Sequence, residues 1–147
     1  LMVVSPDAGG VERARAFAKR MRVGLAIIDK RRISPDEAAV MNIIGNIKGK
    51  NIIIVDDMID TGGTLVKAAA ALKKEGARDI YATAAHGIFA CNAFEKIEKS
   101  QIKEVVVTNS IYNKQGSKKV KILSIGKLIA NGIARVHEGK TMSELFE

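Results

Sequence analysis

Between Asp56 and Thr64 the chain reads DDMIDTGGT, directly after the apolar run Ile52 to Val55. Thr61-Gly62-Gly63-Thr64 offers small residues, two hydroxyls and free backbone N–H groups where a helix begins, an arrangement suited to a phosphate dianion. Asp56, Asp57 and Asp60 stand beside it and repel anions. A ligand that satisfies both parts carries a phosphate at one end and, a few ångströms away, hydroxyl donors or a divalent cation for the carboxylates. A sugar phosphate with vicinal hydroxyls meets that description, and a bare phosphate does not. The alternative is an ordinary strand-to-helix turn with solvated aspartates.

Two other segments hold residues of the right type. Asp7-Ala8-Gly9-Gly10 follows an apolar run and opens a helical pattern, so its amides can face a second anion while Asp7 supplies a hard oxygen ligand; equally, Asp7 can be a plain helix cap. Lys30, Arg31 and Arg32 form a basic triplet that would either stabilise moving negative charge or lie solvated in a loop. His86 closes a strand-like run, a common structural position. His137 and the lone Cys91 have no sequence partner that suggests a role.

Known phosphate motifs with different spacing do not fit. A Walker A loop ends in GK[ST], whereas Gly63 is followed by Thr64; a dinucleotide fingerprint needs GxGxxG. DDMID also reads as the DDxxD that clasps magnesium pyrophosphate in isoprenoid synthases, but that motif lies on a helix, and here it follows a β-branched run and precedes Gly-Gly.

Positioning these groups requires a sheet. Apolar runs at 1–5, 23–29, 51–56, 79–85 and 104–108 are mostly continuous, as in parallel strands buried on both faces. Between them lie helical stripes, Val11, Ala14, Phe17, Ala18 and Met21 in one and Leu65, Ala68, Ala69 and Leu72 in another, the second ended by Gly76 as a C-cap. The pattern predicts an α/β, doubly wound, mostly parallel sheet of about five strands with helices on both faces. Asp56 and Asp57 then fall at the carboxyl end of a central strand, where open α/β sheets bind ligands. Lys30 to Lys50 reads as a long connection and Asn109 to Lys119 as an exposed loop, with Ser124 capping a final helix through about Glu138.

At 147 residues, 47% of them apolar, the chain can bury one core, and residues 1–147 read as a single domain. No apolar run spans a bilayer and no leader is visible, and a single cysteine excludes an internal disulfide, so a cytoplasmic protein with no membrane partner is expected. A net charge of +8 favours anionic partners, but with 4% aromatic residues there are few stacking platforms, and no nucleic-acid partner is expected.

VDDMIDTGGT resembles the phosphoribosyl-pyrophosphate loop of type I phosphoribosyltransferases and ribose-phosphate pyrophosphokinases. SPDAGGVERA (5–14), IIDKRR (27–32), MNIIGNIKGK (41–50), VVVTNSI (105–111) and RVHEGKTMSELF (135–146) resemble the pyrophosphokinases, in order and over essentially the whole chain. The resemblance implies a type I phosphoribosyltransferase-like fold and transfer of pyrophosphate from ATP to the 1-hydroxyl of ribose 5-phosphate, with Mg²⁺. It implies that Asp56 and Asp57 hold the ribose hydroxyls and metal, that Asp60, Thr61, Gly62, Gly63 and Thr64 cradle the 5-phosphate, and that Asp7, Ala8, Gly9 and Gly10 form the pyrophosphate loop with Asp7 a metal ligand. Lys30 and Arg32 match the catalytic lysine and arginine, and His86 a histidine near the nucleotide or regulatory sites. The family forms homo-oligomers, dimers assembling into hexamers. The resemblance covers its carboxyl-terminal half, so the chain is expected to be an enzyme half, with residues 140–147 a tail that packs on the amino-terminal domain. A non-catalytic regulatory homologue and a stand-alone phosphoribosyltransferase are the competing readings.

Overall fold

The computed structural model describes residues 1–31, 40–114 and 116–146. Among them, seven strands form one sheet in the order β3-β2-β1-β4-β5-β6-β7. The strands are β1 (Met2–Ser5), β2 (Gly24–Arg31), β3 (Val40–Ile44), β4 (Ile52–Ile59), β5 (Ile80–Gly87), β6 (Ile102–Thr108) and β7 (Val120–Leu123). Helices α1 (Val11–Met21), α2 (Gly63–Lys74), α3 (Ala93–Lys99) and α4 (Gly126–His137) alternate with them. Every neighbouring pair of strands is parallel except β2 and β3.

The five expected strands are present, and two edge strands add to them. β3 occupies part of the segment read as a long connection: Val40 to Ile44 pairs antiparallel with Ile27 to Arg31. β7 is short and mostly exposed, with nothing like the continuous apolar run of a central strand. The Asn109–Lys119 segment lies between β6 and β7, and its first residue bridges to His86.

Alternation along β4 decides what its two faces carry. Ile52 and Ile54 are fully buried in the larger cluster with Leu65, Ala68, Ala69 and Leu72 of α2. Ile53 and Val55 point the other way, into a smaller cluster with Val3 and with Ala14 and Ala18 of α1. Each fully buried Ile or Leu contributes about 1.5–3 kcal/mol, so the larger cluster dominates the stability of the sheet. The helical stripe of α1 is narrower than its periodicity suggests: Ala14 and Ala18 are buried, whereas Phe17 and Met21 are 37% and 40% exposed, so Phe17 is not a core residue. Two small residues let α1 lie close to the sheet, and the larger side chains stay at the rim.

Helix ends also differ in detail from the sequence reading. Gly76 takes φ 88 just beyond the end of α2, as a C-terminal glycine should. Ser124 is not the N-cap of α4; Ile125 holds that position, and the Ser124 hydroxyl accepts the Gly126 N–H at 3.2 Å. The tail folds back along α4, with Arg135 bonded to the Thr141 carbonyl and paired with Glu144, and Arg20 of α1 donating to the Phe146 carbonyl. Leu145 is half-buried there, and Met142 and Phe146 remain exposed, beside an apolar groove of about 610 Å³ that includes Leu128, Ile133 and Val136. Among the described residues no helix is long and apolar enough to cross a membrane.

Candidate functional site

The chain leaves β1 toward β2 on one side, while β4 pairs on the other. This is a topological switch point, and the connections that follow β1 and β4 part there to opposite faces, leaving a crevice outside the carboxyl ends of the strands. A cleft of about 300 Å³ opens at this point, lined by Asp7 from the first connection and by Asp56 to Leu65 from the second. Asp7, Asp56, Asp57, Asp60, Thr61, Gly62, Gly63 and Thr64 are therefore brought together. Ala8, Gly9 and Gly10 stand beside the cleft in the turn that follows Asp7 and are not part of its lining.

The strand reaches further than expected. β4 continues through Asp56 and Asp57 to Ile59, because Met58 and Ile59 still pair with His86 and Gly87 of β5. Ladder pairing overrides the low strand preference of aspartate. Alternation then puts Asp57 on the α1 side with Ile53 and Val55, and there its Oδ2 accepts from Arg13 Nη2 at 3.0 Å, with Asp56 3.7 Å from the same guanidinium. Arg13 is a residue that sequence reading missed. Its link to the aspartates exists only once α1 packs on β4, and no local spacing announces it. The pair is about half exposed, so it adds at most about 1 kcal/mol to stability. Its main effect is on the charge of the cleft.

Burial raises the Asp56 carboxyl above its ordinary value, and the neighbouring Asp57 and Asp7 charges push it the same way, against the Asp57 N–H that bonds it. Burial also pushes Asp57 upward, but its hydrogen bond with Asp56, the Arg13 guanidinium and the Met58 N–H outweigh that and lower it. Asp7 and Asp57 thus bring like charge to Asp56, with the Arg13 guanidinium 3.7 Å away on the other side of the balance. Among the described residues no three acidic, histidine or cysteine groups converge on one point, so there is no closed protein cage. Mg²⁺ is usually held by one or two carboxylates together with water and substrate oxygens, and Asp7, Asp56 and Asp57 fit that donor chemistry.

The two connections meet the helices differently. In the first, Asp7 Oδ1 accepts the Gly10 N–H at 3.0 Å and the buried Ser5 hydroxyl donates to the Asp7 carbonyl at 2.7 Å. A Cβ on Gly10 would sit 2.9 Å from that hydroxyl, so only glycine fits. Asp7 thus ties its own turn and lines the cleft, but it does not cap α1: Gly10 holds the N-cap position, and the first turn of α1, like that of α2, has no side-chain cap. In the second, α2 starts at Gly63 after Gly62 in the left-handed region, φ 71, with no side-chain cap on its first turn. Those N–H groups are open to the cleft, and the dipole of a 12-residue helix favours an anion before them.

Lys30 lies on β2 opposite Met41, beyond the Ser5–Ile27 register position and hence at the same end of the sheet, but outside the cleft lining. Arg32 lies outside the described residues. His86 bonds through Nδ1 to the Ser110 hydroxyl at 2.8 Å, and Cys91 is an exposed free thiol.

The sequence pattern of the phosphoribosyl synthetase-associated domain matches residues 31–147. A ribose-phosphate pyrophosphokinase of Caldanaerobacter subterraneus is 52% identical over 99% of this chain, and one from Bacillus subtilis is 51% identical over the same share. The chain spans about half the length of these curated relatives, 47% of each. Among solved structures, the phosphoribosylpyrophosphate synthetase of Mycobacterium smegmatis superposes with a TM-score of 0.85 at 38% identity, over 94% of this chain and 45% of that one. An adenine phosphoribosyltransferase of Giardia lamblia, solved with 9-deazaadenine, reaches a TM-score of 0.59 at 20% identity over 72% of this chain and 67% of its own, a likeness of fold. With four-fifths of its length matched by that pattern, the chain belongs to the phosphoribosyl synthetase-associated domain family and resembles the ribose-phosphate pyrophosphokinases throughout.

Proposed function

We propose that the switch-point cleft binds ribose 5-phosphate with Mg²⁺ and forms the sugar-phosphate half of a ribose-phosphate diphosphokinase. The observation that carries this reading is a cleft in which an uncapped helix N-terminus lies beside four carboxylates, Asp7, Asp56, Asp57 and Asp60. The 5-phosphate sits on the open N–H groups and hydroxyls of Thr61 to Thr64, and Asp56 and Asp57 accept from the ribose hydroxyls. Arg13 holds Asp57 in place and keeps the acidic cleft from collapsing or expelling the sugar. Mg²⁺, when bound at Asp7, Asp56 and Asp57, would supply positive charge for the diphosphate oxygens.

In the proposed reaction the ribose 1-oxygen attacks the β-phosphorus of ATP, the bond from that phosphorus to the α,β-bridging oxygen breaks, AMP leaves and the hydroxyl proton passes to solvent. Such transfers rest on positioning and charge stabilisation more than on covalent chemistry. Lys30, near the end of β2, and Arg32, two positions on in the sequence, are assigned to the charge that builds on the transferring group. ATP is the second substrate, its adenine held by the part of the relatives' length that this chain does not span. A reducing cytoplasm suits the exposed Cys91 thiol, and homo-oligomers of the whole enzyme complete the proposal.

The test is an assay of AMP formation from ATP and ribose 5-phosphate by the purified chain, alone and mixed with the complementary half of a relative, alongside direct binding of ribose 5-phosphate. Binding by the chain and turnover only in the mixture are expected. Absence of sugar-phosphate binding in both samples overturns the reading, and binding without turnover in the mixture would make the chain a regulatory homologue.

A further inference from the structure

The phosphate-binding turn is held from outside by a segment with no assigned role. Ile88 to Asn92 connects β5 to α3, and its backbone follows the β4–α2 connection closely. The Ile88 and Phe89 N–H groups both donate to the Ile59 carbonyl, at 2.9 and 3.1 Å, and the Ala90 N–H donates to Asp60 at 3.1 Å. The next carbonyl, Thr61, accepts from the ammonium of Lys96 on α3 at 3.0 Å. Gly62 then packs over Ala93, to which a Cβ would lie 3.7 Å away. Three successive carbonyls leading into the turn are thus satisfied from the β5–α3 connection and from α3 itself. Peptide planarity carries this into the turn, since a carbonyl fixed at Thr61 fixes the Gly62 N–H direction as well.

That segment is itself firmly placed. Phe89 and Cys91 both adopt left-handed backbone, φ 52 and 55, unusual for residues with a Cβ. Phe89 is 6% exposed, its ring centroid 4.5 Å from that of Phe94, and its ring occupies the space that a Cβ on Gly87 would need, 2.4 Å away. Burial of the ring offsets the backbone strain and leaves one conformation.

We infer that Lys96 is a positioning residue for sugar-phosphate binding: its ammonium orients the Thr61–Gly62 peptide so that the uncapped first turn of α2 faces the cleft. It also places positive charge against the Thr61 carbonyl, at the turn itself. The inference rests on the proposed reading of the cleft, and its test separates the two.

Ribose 5-phosphate, and inorganic phosphate in parallel, would be titrated with Mg²⁺ into the full chain, K96M and K96R, with amide exchange of Ala90 and Val66 followed in ligand-free samples. Val66 donates to Gly62 at 3.0 Å and so reports the turn directly. Losing a hydrogen bond from a charged group should weaken ribose 5-phosphate binding about five- to tenfold in K96M and speed exchange at both amides by a similar factor, with K96R within about twofold of the native chain. Native binding with K96M unchanged overturns the role of Lys96 and leaves the cleft reading standing. No ribose 5-phosphate binding by the native chain overturns the cleft reading and with it the binding role of Lys96. Equal exchange in all three proteins removes the orienting role whatever the titrations give.

Discussion

The connections after β1 and after β4 stand on either side of the switch point, and both join a buried strand to a helix through aspartate and paired glycines. The first is closed on itself: Asp7 takes the Gly10 N–H, Ser5 takes the Asp7 carbonyl, and Gly10 is pressed against Ser5. The second leaves its N–H groups open and has its carbonyls held by another segment, through Ala90 and Lys96. The first turn is tied by its own side chains, Ser5 and Asp7, although the first turn of α1 is itself uncapped. A turn braced from behind keeps donors available at the front without becoming loose.

The contrast can be broken most sharply at Asp57. Asp57→Asn should lower ribose 5-phosphate affinity roughly 100-fold, the ~2–3 kcal/mol of a charge-assisted hydrogen bond, while shifting stability by no more than ~1 kcal/mol because the Arg13 pair is solvated. Titration calorimetry and thermal unfolding on the same variant measure both. A large loss of stability with unaltered affinity would reverse the assignment of the two properties.

Gly62→Ala comes next. Its φ of 71 is costly for alanine, by about 1–2 kcal/mol, so the variant should lose that much stability and also bind the sugar phosphate more weakly as the turn relaxes. Denaturant unfolding at an unchanged midpoint would show that the left-handed turn is not under the constraint described.

At Asp7 the effect is smaller and of the other kind. Asp7→Ala should cost about 1 kcal/mol of stability, as loss of a part-buried hydrogen bond does, and Asp7→Asn should recover most of it because its carbonyl oxygen can still accept the Gly10 N–H. Ribose 5-phosphate affinity should stay within about threefold in both, since a factor of three is less than one neutral hydrogen bond. A drop as large as that for Asp57 would mean that the first connection also holds the sugar.

Much of this arrangement was legible in the sequence because it is local. Five continuous apolar runs mark the parallel strands, and DDMIDTGGT carries both halves of a ligand requirement within nine positions. What was missed is tertiary or peripheral. β3 and β7 are edge strands with partly exposed faces, so the apolar continuity that marks a buried strand is absent from them. Asp56 and Asp57 read as the carboxyl end of a strand, and it is the pairing of Asp56, Met58 and Ile59 with β5 that carries the strand on to Ile59. Arg13 and Lys96 reach the site across 44 and 35 residues of chain, through packing of α1 and α3 that no spacing encodes. Phe17 fits a helical stripe by period and is exposed because the residues that α1 buries against the sheet are Ala14 and Ala18.

The most direct test of the central claim is a crystal structure of the chain with ribose 5-phosphate and Mg²⁺. The account predicts the phosphate on the first-turn N–H groups of α2 between Thr61 and Thr64, with Asp56 and Asp57 accepting from the ribose hydroxyls or meeting them through the metal. A phosphate bound at the β1–α1 connection, or a ribose turned away from the two aspartates, would contradict it.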